Sequence, residues 1–200
     1  MPSDHPHVVL ASGSPRRREL LEAIDIRPEI RPADIDETPL DGERPAAYVE
    51  RLARAKAERV AANHPGAIVI GADTTVAVDG VIVGKPTDDA NAGATLRRLS
   101  GRSHDVYTGV ATAVPGAIHA ATSHTIVSFR ELSDHEIDWY VSTGEAAGKA
   151  GSYAIQGAAG SFVTHIEGSH DNVIGLPRAL LDELLGRTGR SLHELRTPAH

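Results

Sequence analysis

The chain has no cysteine, which excludes disulfides, thiolate metal sites and thiol catalysis together. That absence fits a reducing cytoplasm. Aromatic residues are scarce at 4%, so within a hydrophobic total of 40% the core must rest on Val, Leu, Ile and Ala. No apolar run reaches the ~18 residues of a membrane span, and the opening MPSDHPHVVLAS lacks a signal-peptide pattern. Basic charge is not in excess either: the net charge of −7 argues against a broad electrostatic grip on nucleic acid. It still allows a small polyanion held in a local basic pocket or brought in with a divalent metal. Four signatures are missing as well. There is no G-x-x-x-x-G-K-[ST] phosphate loop, no G-x-G-x-x-G after a strand, no H-E-x-x-H zinc motif and no G-x-S-x-G elbow. The eleven histidines are scattered, with His5 and His7 the only tight pair, so a zinc site is not expected.

What is present suits one domain over residues 1–200, since domains run to about 100–200 residues. HVVLAS (7–12) reads as a buried strand, followed by Ser14 as N-cap and Pro15 at the first position of a helix reaching about Ile24. A second helix is expected over about 45–63. AIVIGAD (67–73) reads as a buried strand ending in a carboxylate, and VAVDGVIV (76–83) as a hairpin turning at Asp79-Gly80. TDDANAGATLRRLSG gives a helix stopped by Gly101. Val106, Thr108, Val110, Thr112 and Val114 alternate as one strand face, and IHAATSHTIVSF pairs back. Ser133 and Glu136 make a capping box, and SLHEL near the end reads as another. A glycine-rich stretch (148–160), a strand SFVTHI and a last helix from about Leu176 to Leu185 follow. Helices interleave with strands and hairpins, so the expectation is an α/β fold with a mixed sheet.

LASGSPRRRELL poses the sharpest question. Helix N-termini carry about half a positive charge, so cations there cost about 0.3–1 kcal/mol each. Arg16, Arg17 and Arg18 nevertheless gather at one. They are either solvated surface charges or half of an anion site, whose other half is the helix end and its free N–H groups. Asp73, followed by Thr74 and Thr75, is either a turn cap or a carboxylate placed to orient water or a metal at a strand's carboxyl end. Asp34, Asp36 and Glu37 form an acidic loop with oxygens to offer a metal. Lys56 falls in the middle of an apolar helical stripe of Val49, Leu52, Ala53, Ala57 and Val60, so it must pair inward or snorkel out. Lys85 in GKP is uninformative by itself. In GKAGSYAIQGAAG, Tyr153 offers a ring and Gln156 an amide suited to a base edge, within what is otherwise an ordinary glycine-rich loop.

In order along residues 8–177, LASGSPRRRELL, DIDET, RLARAKA, GADTTV, GKP, LSGRSHDVYTGV, GKAGSYAIQG and DNVIGLP resemble the motifs of the Maf family of nucleoside triphosphate pyrophosphatases. The resemblance implies an elongated mixed β-sheet flanked by helices, with two lobes around a central cleft, like that of the inosine triphosphate pyrophosphatases. It implies hydrolysis of a nucleoside triphosphate to the monophosphate and pyrophosphate, with Mg2+ or Mn2+ and as a homodimer. By motif, Asp73 would accept the proton of water and Glu37 with Asp73 would hold the metal. Ser12, Ser14, Arg16 and Arg17 would bind phosphates, while Lys56 and Lys85 would neutralise the departing pyrophosphate. Family members that prefer dTTP and UTP are similar to this chain in having Arg16, Thr74 and Gln156 at the discriminating positions. A nucleotide-dependent regulator of septum formation, acting by binding alone, is the alternative the resemblance also carries.

Overall fold

The computed structural model describes residues 6–197. His5, half of the one tight histidine pair, lies outside them. Seven strands form one sheet: β1 (Val8–Leu10), β2 (Glu29–Ile30), β3 (Ile68–Val78), β4 (Val81–Val83), β5 (Ser103–Val114), β6 (Ala117–Phe129) and β7 (Val163–Glu167). Their order is β2-β1-β3-β5-β6-β7, with β4 paired on β3. β1 runs parallel to β2 and β3, and the other pairings are antiparallel, so the sheet is mixed as expected. Six helices flank it: α1 (Pro15–Glu22), α2 (Pro45–Ala61), α3 (Asp89–Leu99), α4 (Asp134–Ser142), α5 (His170–Ile174) and α6 (Arg178–Gly186).

Local chemistry explains most boundaries. Asp79 and Gly80 both take positive φ, 54° and 75°, which is what a two-residue hairpin between β3 and β4 demands. Asp88 caps α3 by accepting from the Asn91 N–H at 2.7 Å. Ser133 and Glu136 close a reciprocal capping box on α4. SLHEL does not repeat that device: His193–Leu195 is a single 3-10 turn without a side-chain cap. α5 has no sequence expectation behind it, because five residues are too few to display a helical period.

The two faces of the sheet are packed differently. On one, α2 lies directly against β3, β5 and β6 over small residues such as Ala53, Ala57, Ala111 and Ala113. Gly71 and Gly109 make this approach possible: a Cβ on Gly71 would stand 2.2 Å from the Ala53 carbonyl oxygen, and one on Gly109 2.2 Å from that of Val49. The opposite face carries Val110 and Ala72 against Leu20, Leu21, Ile174 and Leu181. The few aromatics are concentrated rather than spread. Both phenylalanines and two of the four tyrosines pack in one cluster, with Phe129 edge-on to Tyr153 at 4.9 Å and Tyr140 edge-on to Phe162 at 5.4 Å. Such pairs contribute about 0.5–1.5 kcal/mol beyond their buried area. They anchor the glycine-rich segment through Tyr153.

One expectation is corrected. β3 does not end at Asp73; it runs eleven residues without a break, and Asp73 is near its middle. What ends is its neighbour. On the side away from β5, β3 pairs with β1 over Ile68–Ile70 and with β4 over Val76–Val78. Residues 71–75 therefore have β5 on one side and no strand on the other. The sequence reading had placed a strand end where the structure has a notch in the sheet beside an unbroken strand.

Candidate active site

The notch opens a cavity of about 470 Å³, and its walls include Ser12, Ser14, Arg16, Arg17, Glu37, Lys56, Asp73, Thr74, Lys85 and Gln156. The residues to which the family resemblance gives a role thus face one space. Adjacent residues of a strand point to opposite faces, so Asp73 faces α2 while Thr74 faces α1 and α5. Both reach the same cavity because no strand separates the two faces at this point of the edge.

On the α2 side, the close approach over Gly71 lowers Lys56 onto β3. Its ammonium lies 2.7 Å from Asp73 Oδ1 and 2.6 Å from Glu37 Oε1, with only 8% of the side chain exposed. The inward pairing of Lys56 is therefore the outcome of the two alternatives. Lys85 reaches Glu37 Oε2 at 3.3 Å from the hairpin side. Burial pushes the Glu37 carboxyl up, but the hydrogen bonds and charges of Lys56 and Lys85 outweigh it and leave the pKa below its ordinary value. Asp36, by contrast, accepts from the Thr38 N–H in an exposed turn, and Asp34 does not line the cavity. Among the described residues, no group of three or more His, Asp or Glu gathers in a form that could hold a metal by itself.

On the other side, the three arginines separate. Arg18 is a solvated surface charge beside Glu22, at 3.6 Å. Arg17 is buried, and three of its five N–H donors are committed: Nε to the Gly175 carbonyl at 2.8 Å, Nη1 to Ser12 Oγ at 2.8 Å and Nη2 to Thr74 Oγ1 at 3.1 Å. Arg16 is half-buried at the cavity wall. Burial lowers the pKa of Arg16 and of Arg17 alike, so an entering anion would recover part of their lost solvation. Ser14 has the extended backbone of an N-cap but makes no side-chain cap; its N–H instead donates to Ser12 Oγ at 3.3 Å.

Lys149 is a charged cavity residue that sequence reasoning passed over. It lines the cavity, and burial first, then repulsion from Arg16, lowers its pKa. The available signal was a lysine inside a glycine-rich segment, which by itself is indistinguishable from a wet loop. The segment is held by a buried pair, Tyr153 OH with His104 Nε2 at 2.8 Å. Burial pushes the His104 pKa down to about 4, despite the opposing charge of Asp105. The unfolded imidazole binds its proton near pH 6.5 and the folded one only near 4. The stabilisation is therefore whole above pH 6.5 and is lost as pH falls through 4, by about 3 kcal/mol. Chemical denaturation of wild type and His104→Gln at both ends of that window should show this component in wild type alone.

Comparisons with known proteins were made on the whole chain. A family profile described as Maf-like protein matches residues 7–188. A dTTP/UTP pyrophosphatase of Myxococcus xanthus (strain DK1622) is 54% identical over 194 residues, covering 96% of this chain and 97% of its own. One of the same name from Anaeromyxobacter dehalogenans (strain 2CP-C) is 50% identical over 189 residues, covering 92% and 95%. Among solved structures, a HAM1 protein from Coxiella burnetii aligns with a TM-score of 0.42 and 19% identity over 62% of this chain and 73% of its own. With a profile match over nearly its whole length and relatives at half identity, the chain belongs to the Maf family.

Proposed function

We propose that this chain hydrolyses dTTP and UTP to the monophosphate and pyrophosphate. Its relatives at 50% and 54% identity carry that activity in their names. The observation that carries the reading is the single cavity shared by Asp73, Glu37 and five cations, Arg16, Arg17, Lys56, Lys85 and Lys149. In a chain of net charge −7, this local excess of positive charge suits a triphosphate tail.

Glu37 and Asp73 are hard oxygen donors on one cavity and already share a cation, the Lys56 ammonium. That donor set fits Mg2+ or Mn2+, which take one or two protein carboxylates and complete their shell with phosphate oxygens and water. When bound, the ion would supply charge neutralisation on the phosphates. The other work falls to the chain. Ser12, Ser14, Arg16 and Arg17 orient the phosphates beside the N-terminus of α1. Lys56 already occupies Asp73 Oδ1, and Oδ2 has no protein partner among the described residues. Oδ2 is thus free to take the proton of the attacking water as the α,β-anhydride bond breaks. Lys56 and Lys85 stabilise the charge that develops on pyrophosphate. Thr74 and Gln156 address the base. The compartment is the cytoplasm and the assembly a homodimer. Nothing in the site favours a regulator acting by binding alone.

The test is product analysis on purified protein with Mg2+ or Mn2+ across canonical and modified triphosphates. UTP and dTTP should yield monophosphate and pyrophosphate in equal amounts. Release of inorganic phosphate, or binding without turnover, would overturn the reading. Lys149→Met should raise KM for UTP about tenfold with a smaller change in kcat, since a hydrogen bond to a charged group contributes about 1.5–3 kcal/mol. Steady-state pyrophosphate release checks this.

A further inference from the structure

The glycine-rich segment meets the cavity twice, at Lys149 on its outgoing arm and at Gln156 on its returning arm. Its middle is pinned. Tyr153 is held by His104, and Gly151 lies so close to β3 that an added Cβ would stand 2.7 Å from Val76 Cγ2. The two arms are joined by a half-buried side chain outside the cavity wall, Glu145. Glu145 belongs to the outgoing arm, and its Oε2 accepts the Ala158 N–H of the returning arm at 3.0 Å. The carboxylate also fills the space over Gly157, where an added Cβ would stand 2.8 Å from Glu145 Cδ. Gly157 has a φ of −100°, open to any residue, so the carboxylate and not the backbone calls for glycine there. Tyr140 on α4 completes the join, its hydroxyl accepting the Ala154 N–H at 3.0 Å. Burial first, with the charge and hydrogen bond of Glu145 adding to it, pushes the Tyr140 pKa up to about 12 against the pull of the Ala154 N–H. The phenol therefore keeps its one proton and directs it to Glu145.

We propose that Glu145 is a positioning residue for the substrate: by latching one arm to the other it sets where Lys149 and Gln156 stand in the cavity. This rests on the proposed function and deepens it. Gln156 lies midway between the two held amides, Ala154 and Ala158, so fixing both leaves its backbone little freedom. Lys149 feels the same carboxylate, whose charge opposes the burial and the Arg16 repulsion that lower the Lys149 pKa. Without the carboxylate, the Ala158 N–H and the Tyr140 proton turn to water and the returning arm separates from the outgoing one. Ordering the arms would then be charged to substrate binding instead of to folding. The loss belongs in KM. Asp73, Glu37 and Lys56 are bonded to one another on the far side of the cavity, and no hydrogen bond ties them to this segment among the described residues.

The experiment is steady-state pyrophosphate release from UTP by Glu145→Ala, Glu145→Gln and Gly157→Ala. Glu145→Ala should raise KM about tenfold and leave kcat within about threefold, as loss of a hydrogen bond to a charged group does when it is felt in binding. Glu145→Gln keeps an oxygen for the Ala158 N–H and should stay within about threefold of the wild-type KM. Gly157→Ala drives a methyl into the carboxylate from the other arm and should match Glu145→Ala. The loss should also disappear where the positioned side chains are gone: in a Lys149→Met, Gln156→Ala background, adding Glu145→Ala should change KM by less than about twofold. A full loss in that background, Glu145→Gln as impaired as Glu145→Ala, or a wild-type KM in Glu145→Ala would each overturn the inference. If Glu145→Ala does not fold, Gly157→Ala replaces it in the same cycle, because its methyl meets only the movable end of a side chain. Wild type that fails to cleave UTP at all would instead sink the proposed function. The latch is then read by hydrogen exchange at the Ala158 amide, which should be protected in wild type and exposed in Gly157→Ala; equal exchange in the two would overturn it.

Discussion

Asp73→Asn is expected to lower turnover of UTP by about 10²–10⁴-fold, the usual contribution of a positioned general base. The substitution is close to isosteric, and the amide oxygen can still accept from the Lys56 ammonium that now lies 2.7 Å from Oδ1. Lys56 also keeps Glu37 as a partner at 2.6 Å, so it is not left as an uncompensated buried charge. Folding and triphosphate binding should therefore be largely kept. What is lost is the proton acceptor and one oxygen anion facing the phosphates. Rapid-quench measurement of pyrophosphate release, with UTP affinity taken separately by calorimetry, distinguishes these contributions. Wild-type turnover in this variant would remove Asp73 from the role of base.

The second large effect is expected from a residue with no side chain. In Gly71→Ala the new methyl would stand 2.2 Å from the Ala53 carbonyl oxygen and 2.9 Å from the Ala57 nitrogen. Both are backbone atoms of α2 and cannot rotate away. The helix must lift, at a cost of about 2–3 kcal/mol, or roughly 5–10 °C in Tm for a chain of this size. Lys56 lies between Ala53 and Ala57, so lifting α2 also carries its ammonium off Asp73 and Glu37. A displacement near 1 Å is worth up to about 10²-fold in rate. Gly186→Ala is the control: nothing lies within 4 Å of its added Cβ, and Ala favours the helix end, so stability should hold or rise slightly. Thermal melts and kcat on both variants check the pair; an unshifted Tm in Gly71→Ala would show that α2 adapts without strain.

Sequence by itself determined the periodic and local features: the order of most strands and helices, the Asp79-Gly80 hairpin, the Ser133–Glu136 capping box and the misplaced lysine in the α2 stripe. Each depends on residues a few positions apart, so each is legible in a short window. The arginines set against the helix dipole marked one wall of the cavity, the proposed anion site, for the same reason. Only the tertiary structure decided what the marked residues touch. Arg17 and Gly175 are 158 positions apart, and no window joins them. The sequence could not separate the committed Arg17 from the half-buried Arg16 or the solvated Arg18, because burial is set by what packs from elsewhere. Nor could it reveal the desolvation of Lys149. The notch is the plainest case. Asp73 and Thr74 sit on opposite faces of a strand that continues through both, and one ligand can reach them together only because β1 stops at Leu10 and β4 begins to pair at Val76. That gap is a property of strand pairing between distant segments, and it turns two faces of a sheet into the walls of one cavity.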